Sequence, residues 1–595
     1  MRSAKGIALV ATLSLLVLIA ILVFGTFFTT QLELWITRND TSSVQAFYAA
    51  EAGVQKYKAA LFQQYVWQER NGSVPQTGGS TVCYSVFLEG IDWNRNGTLD
   101  SDERFVNNTM TLATDEPVVD AQGRPVGRYS VELVRTTSPR IYTLISRGES
   151  GGARARVQAT VLLETPSPLN VAIFAGSGQA NRWLNGGATI RGGIYIVGDP
   201  RYPDQEVISS NGNFSLLNWY DLTNTRDYGS LGNYVSEANR RANDLCASLR
   251  VQYGKISVGG STQIGEPDNR VKGVFVGRGL QDITWTGNEV DVCTRTRGVC
   301  TEAIGGFDLS DPPAFPTLDG PGGCGAGRSW RTCLREEAVN SLRIVAGGTE
   351  PTIQWPSSAT PASPPDSCKN AFKAATVTFG KDEDRGGGGG GGRGGGGRGG
   401  GGGGNAGSEP PTVDCSYTLN GAKGGFKYIP GDPATLEVYG TVVLEGFDLE
   451  IWQNVLYTAN TGDAKNATLA VLAKDGQGGN LDINGNLLPN TNQGLFPEHV
   501  LGLVAEKNVY QRGQYVTAPI YAGGTFRIVR QNVLVGSVVS NEFCTTSAGN
   551  QTSCAAGQSA EVVFVNTGAN KPRPLQLLDR TAGRYAFLVL SYERR

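Results

Sequence analysis

Residues 7–32 carry no charged side chain, and that run constrains everything built after it. Wound as a helix at about 1.5 Å per residue, it is about 39 Å long, enough to cross a hydrocarbon core of about 30 Å. A short leader carrying Arg2 and Lys5 precedes it, and basic flanks of this kind keep an N-terminus cytoplasmic. The helical signal continues past the apolar run. Phe47, Ala50, Val54, Tyr57, Leu61 and Tyr65 recur every three or four residues as one stripe, while Gln45, Glu51, Lys56, Lys58 and Gln63 fall off it. A cleaved secretory signal needs a shorter core followed by a small-residue site, and Phe27, Phe28, Thr29, Thr30 and Gln31 offer none. A plain signal anchor is the bland alternative.

The leader ending in Gly6, the apolar helix and the segment Ala46-Phe47-Tyr48-Ala49-Ala50-Glu51-Ala52-Gly53 resemble the N-terminus of type IV prepilins. More closely, residues 1–70 resemble the N-terminal segment of PilX-type minor pilins. The resemblance implies cleavage after Gly6 by the prepilin peptidase and methylation of the new N-terminal residue, Ile7. It also implies residence in the bacterial inner membrane before assembly, with other pilins and the inner-membrane assembly platform as partners. Major subunits of the family carry Glu as the fifth residue after the cut, where it is thought to pair with the amine of the subunit ahead. Here that position is Ala11, which favours a tip or initiating place over a repeated shaft position.

A chain of 595 residues holds more than one domain, and its 81 glycines are about twice the usual share. The net charge of −2 gives no whole-protein attraction for nucleic acid, so any such binding needs a local patch. Cysteines behind a membrane-crossing segment point to the oxidising side of that membrane. Cys293 with Cys300, Cys324 with Cys333, and Cys544 with Cys554 are spaced for local loops. Cys368 and Cys415 flank a glycine tract, and Cys83 and Cys246 are left for a long-range pair. Some of these residues as free buried thiols is the alternative. No CxxC spacing supports zinc or a thioredoxin-like centre.

After a polar linker, strands are expected at 82–88, 128–135, 141–147 and 154–163. A long helix on such an antiparallel sheet is a pilin body, with the sheet region at 71–165. Within it, residues 92–103 match a twelve-residue calcium loop. Asp92, Asn94 and Asn96 supply side-chain oxygens, Gly97 the sharp turn, Thr98 a carbonyl, Asp100 a direct or water-borne ligand, and Glu103 a bidentate carboxylate. The flanks do not read as helices, so a lone loop is expected, with an Asx-rich surface turn as the alternative.

From residue 166 to 575 short apolar strands alternate with Gly and Asn at intervals of roughly twenty residues, the texture of a β-solenoid; a many-hairpin sandwich is the rival. A helix is expected at 234–253 from Val235, Ala238, Ala242, Leu245 and Leu249. The almost pure Gly tract at 385–404 is expected to be a disordered loop. A final strand at 584–592, in the C-terminal segment 576–595, that rejoins the pilin sheet would make the β region an insertion. The fold class is therefore an α+β pilin body with a large, mainly β, solenoid-like insertion.

With His499 as its one histidine and no GK[ST] loop, the chain does not read as an enzyme. A PilX-like N-terminus joined to a Gly-rich β region resembles the ComZ-type competence pilins of thermophilic bacteria. That resemblance implies a subunit at a pilus tip that binds extracellular double-stranded DNA without sequence preference during natural transformation. Such binding needs arginines spread on a face to neutralise phosphates. By local density the candidates are Arg278, Arg295, Arg297, Arg328, Arg331, Arg335, Arg343, Arg393 and Arg398. An adhesive tip is the alternative, in which Trp183, Trp219, Trp285 and Trp330 matter more; a structural initiator of assembly is the third reading.

Overall fold

The computed structural model describes residues 4–594 except 72–82, 84–85, 137–139, 165–166, 180–186, 211–212, 287–292, 294–297, 307–312, 340–341, 381–410, 462–463, 547–553, 555–558 and 583–585. The linker at 71–79 and the glycine tract at 385–404 lie almost wholly outside the described residues. The chain divides into two units. One comprises residues 1–74, 85–163 and 589–595; the other comprises 75–84 and 164–588.

The first unit is built on helix α1, Ala4–Asn71. Its apolar half is long enough to cross a membrane, and its large side chains from Leu9 to Ile36 are exposed. Its second half buries Ala46, Ala50, Val54, Leu61 and Tyr65, the apolar stripe read from the sequence. The partner is an antiparallel sheet of β1 (Thr109–Val119), β2 (Pro125–Arg135), β3 (Ile141–Ser150) and β4 (Ala153–Glu164), with the C-terminal strand Ala586–Arg594 beside β4. Ala50 and Val54 pack on Val157 and Ala159 of β4. Gly148 sets the distance, because a Cβ there would lie 2.0 Å from the Ala46 carbonyl oxygen. β1 had no sequence signal: it is bulged between Thr111 and Glu116, with Asp115 at a φ of 51°. The strand expected at 82–88 is absent among its described residues. Val86 and Phe87 form a turn that buries Phe87 against Tyr142.

In the second unit, parallel strands stack in register. Leu342, Val442, Leu469, Leu503, Ile520 and Val538 form one apolar column that continues through Ile173, Ile194, Leu249, Val274 and Ile304. A second column runs from Ala434 through Val455, Leu487, Val516, Leu534, Val562, Ile190, Leu216 and Ile264 to Val299. Each rung covers its neighbour's apolar row, so one continuous core forms.

The rung order is not the chain order. The last long strand, Val533–Thr546, pairs with the first, Ile173–Ala175, in the middle of the stack. A single pass would separate the ends of the insertion by about 50 Å at about 4.8 Å per step. Two passes that meet at Val538 and Ile173 return the chain to where it entered. That is what an insertion between β4 and its neighbouring C-terminal strand requires.

One expectation is corrected. Residues 234–253 are not a helix. They contain short turns at Leu231–Tyr234 and Glu237–Asn239, then the strand Ser248–Val251. Cys246 sits at a φ of 48°, the Asn218 side chain accepts from the Leu245 and Ala247 N–H groups, and Leu249 and Val251 join the apolar stack. Helical spacing of apolar residues was outweighed by the ladder on both sides. The final strand, Ala586–Arg594, lies within the expected C-terminal segment, and the helix Arg573–Ala582 before it, which buries Leu575 and Leu578, carried no sequence signal.

The disulfides are Cys83–Cys246, Cys293–Cys300, Cys324–Cys333, Cys368–Cys415 and Cys544–Cys554. They join the same pairs that the spacing suggests.

Candidate functional site

The loop at 92–103 is pinched shut at its base. Ile91 N–H donates to the Glu103 carbonyl at 2.8 Å, and Phe105 N–H donates to that of Glu89 at 2.9 Å. Gly90 permits this approach, since a Cβ there would lie 2.0 Å from the Glu103 carbonyl oxygen. Arg95 and Gly97, at φ of 58° and 85°, turn the backbone inward. Asp92 accepts from Asn96 N–H (3.1 Å) and Gly97 N–H (2.8 Å). Glu103 accepts from Trp93 N–H (2.8 Å), Asn94 N–H (3.2 Å) and Asp100 N–H (3.1 Å). Asn94 donates to Asp100 at 3.1 Å, and Asn96 accepts from Thr98 N–H at 2.8 Å. The loop is docked on α1: Gln64 donates to the Asp92 carbonyl, and Arg95 donates to Gln64 at 3.2 Å while its guanidinium lies over Trp67.

Asp92 and Glu103 are 8 % and 5 % exposed, and neither has a cationic side-chain partner among the described residues. Buried carboxylates without a counter-charge are costly, and a bound cation would offset that cost. The residues therefore fit calcium chemistry: hard oxygen donors from Asp92, Asn94, Asn96, Asp100 and Glu103.

The predicted arginines fare differently. Arg295, Arg297, Arg393 and Arg398 lie outside the described residues. The other five each hold a carboxylate. Arg278 donates to Asp282 and Asp204 at 2.7 Å each, and those bonds raise its pKa further. Arg328 donates to Glu336 at 2.6 Å. Arg331 donates to Glu506 at 2.6 and 2.8 Å and to Asp319 at 2.9 Å. Arg335 and Arg343 converge on Glu445, whose side chain is 3 % exposed. Burial opposes the charge on Glu445, but the bonds from Arg343 and Arg335 outweigh it and hold its carboxyl below the usual range. Among the described residues, the five arginines that local density picked out are each matched by a carboxylate.

A group that sequence reasoning missed lies on the pilin sheet. Arg128 of β2, Arg147 of β3, and Arg154 and Arg156 of β4 line an open cleft of about 470 Å³, with Asp115 and Glu149. Arg147 and Arg156 are direct cross-strand partners, an arrangement in which like charges repel, and the Arg156 Nε is buried without a partner. The alternation Arg154-Ala155-Arg156 was the available signal.

Among solved structures, this chain is similar to the competence-associated pilin ComZ from Thermus thermophilus. The two are 52 % identical with a TM-score of 0.64, and the match covers 94 % of this chain and 98 % of that one. The chain belongs to the ComZ family of competence-associated pilins. No protein-family model matches the sequence, and no curated protein does.

A ComZ-family chain is a pilin, and the apolar half of α1 in this one is long and apolar enough to cross a membrane. Gly6 and Ile7 lie in the first turns of α1, and Ala11 is exposed one turn further on. Of the aromatics considered for an adhesive surface, Trp330 is buried and donates to the Pro574 carbonyl at 3.0 Å. Trp219 is half-buried beneath Arg191 and donates to Glu266 at 2.7 Å. Both support the solenoid from within, so neither is a free stacking platform. Trp183 and the Trp285 side chain lie outside the described residues.

Proposed function

We propose that this ComZ-family pilin is a tip subunit of a DNA-uptake pilus and binds extracellular double-stranded DNA without reading its sequence. The observation that carries the reading is the near full-length likeness to a competence-associated pilin, joined to a β insertion far larger than the sheet that holds it. Processing after Gly6, methylation of Ile7 and a tip position favoured by Ala11 belong to the same reading. So does calcium in the 92–103 loop, which would brace that loop against α1 outside the cell. Phosphate contacts would come from cations that keep part of their surface in water. Arg278 and Arg328, with side chains 40 % and 50 % exposed, meet that condition better than Arg331 at 17 %. The arginine cleft on the pilin sheet and the glycine-tract residues Arg393 and Arg398 are the other sources.

The test is binding of random duplex DNA by the full chain in detergent micelles across a salt series. The logarithm of affinity should fall linearly with the logarithm of salt, with a slope of about −0.9 per phosphate engaged. Arg154→Glu with Arg128→Glu should flatten that slope. Absence of binding at low salt would reject the DNA reading. It would leave the second one, an adhesive or structural tip pilin, which the ion pairing of the solenoid arginines favours.

A further inference from the structure

A third stack of the solenoid carries a polar face that nothing in the DNA reading uses. Its strands are Thr376–Phe379, Asp448–Ile451, Leu481–Ile483, Val509–Gln511 and the end of Tyr515–Val529. Their inward residues Val377, Leu449, Leu481, Val509 and Phe526 are buried in the core. Register then aligns Glu450, Asp482, Tyr510 and Arg527 in an adjacent column across successive rungs. Beside it runs a hydrogen-bonded ladder: Asn480 donates to Asp448 at 2.9 Å, and Asn508 donates to Asn480 at 3.1 Å. Together with Arg512 these residues line an open cleft of about 290 Å³.

The chemistry of this cleft is specific. Three carboxylates, Asp448, Glu450 and Asp482, face two guanidiniums, so a phosphate backbone would be repelled. The Asp448, Glu450 and Asp482 carboxylates are not drawn together as a close group of three metal-ligating side chains. Tyr510 is 6 % exposed, lies under the Arg512 guanidinium at 4.4 Å, and its hydroxyl has no partner among the described residues. The Arg512 Nε is likewise unpartnered. Buried polar atoms without partners are uncommon and call for one. Burial raises the Asp482 carboxyl; the Arg512 charge opposes this, and Glu450 and Asp448 add to it, so the group stays raised and partly desolvated. At the edge, Trp452 is 38 % exposed and donates its Nε1 hydrogen to Glu450 at 2.7 Å, which holds an aromatic ring beside the cleft.

We infer that this face binds an uncharged saccharide chain. Sugar hydroxyls both donate and accept, which matches a cleft of carboxylates, side-chain amides, a phenol and guanidiniums. Their apolar C–H faces suit an exposed indole. The rungs present these groups at a repeat of about 4.8 Å, a ruler for a linear polymer of similar units. The pilin would then hold a glycan-coated surface on one face of the solenoid, with DNA confined to others.

The experiment titrates the full chain in micelles with short linear oligosaccharides derived from cellulose, chitin and dextran, using calorimetry. At least one should bind with a dissociation constant of about 1 mM or tighter. Tyr510→Phe, which removes a single hydroxyl, and Asp482→Asn should each weaken that binding by about fivefold or more. Both variants should keep the wild-type melting temperature within about 2 °C and bind duplex DNA as before. No binding by any of the three oligosaccharides would overturn the inference. So would affinity unchanged in both variants, or displacement of bound saccharide by duplex DNA, which would place a polyanion on the acidic face.

Discussion

Glu445 is the sharpest place to ask whether the solenoid arginines are structural. Its carboxylate takes bonds from Arg343 Nε at 2.9 Å and Nη2 at 2.5 Å and a third from Arg335, with its side chain 3 % exposed. Removing one partner of a buried ion pair costs about 3–5 kcal/mol, because the charge left behind stays desolvated. Arg335 and Arg343 keep 37 % and 21 % of their side-chain surface in water, so part of that cost is recovered. Glu445→Gln should therefore destabilise the second unit by about 2–4 kcal/mol. At about 2 °C per kcal/mol for a large domain, its melting temperature should fall by about 4–8 °C at neutral pH. The same change at exposed Glu350 should have no effect.

The pH dependence follows from the sign of the shift. A carboxyl held below its ordinary pKa contributes stability that is complete above about pH 4.3 and is lost as pH falls through the folded value. The gap between wild type and Glu445→Gln should close on the acid side of that window. Affinity for duplex DNA should stay within about twofold, since the two arginines serve the fold. An unchanged melting temperature together with tighter DNA binding would refute this reasoning and return Arg335 and Arg343 to the DNA surface.

Three other outcomes are expected. Gly148→Ala would press a methyl group into the Ala46 carbonyl and force α1 off the sheet, at about 1–3 kcal/mol or more; a wild-type melting curve for the pilin unit would contradict the close approach. Calcium at about a hundred times its dissociation constant should stabilise the pilin unit by about 2.7 kcal/mol, an increment that chelation and Glu103→Gln both remove, and thermal melts with and without calcium decide it. His499 is 1 % exposed and accepts from Ala459 N–H at 2.7 Å, and burial holds its pKa below the ordinary value. The stability it contributes is complete above about pH 6.5 and lost as pH falls through the lower folded value, so His499→Gln should flatten the melting temperature between about pH 7 and about pH 5.

Local features of this chain were legible because their information is local. The charge-free run and the stripe from Phe47 to Tyr65 specify α1 through spacing alone. The 92–103 loop follows from residue types at fixed offsets, and the five disulfides from cysteines that mostly lie close in sequence. Rungs of Val, Ile and Leu between Gly and Asn announce a stack, because each such strand has an apolar row that only a neighbour can cover.

Pairing over long distance was not legible. No spacing says that Val538 lies on Ile173, since every rung's apolar row is chemically alike and many stacking orders satisfy it. Only closure of the insertion onto one sheet selects the two-pass order. The same holds for charge: Arg331 and Glu506 are 175 residues apart, and Arg343 and Glu445 are 102 apart. A run of arginines in sequence therefore looks free until the fold brings its carboxylates alongside. Composition and periodicity determined the long helix, the stacked apolar rungs and which cysteines pair. The tertiary structure decided which rung meets which, and with it which charges are spent inside the molecule and which remain for a partner.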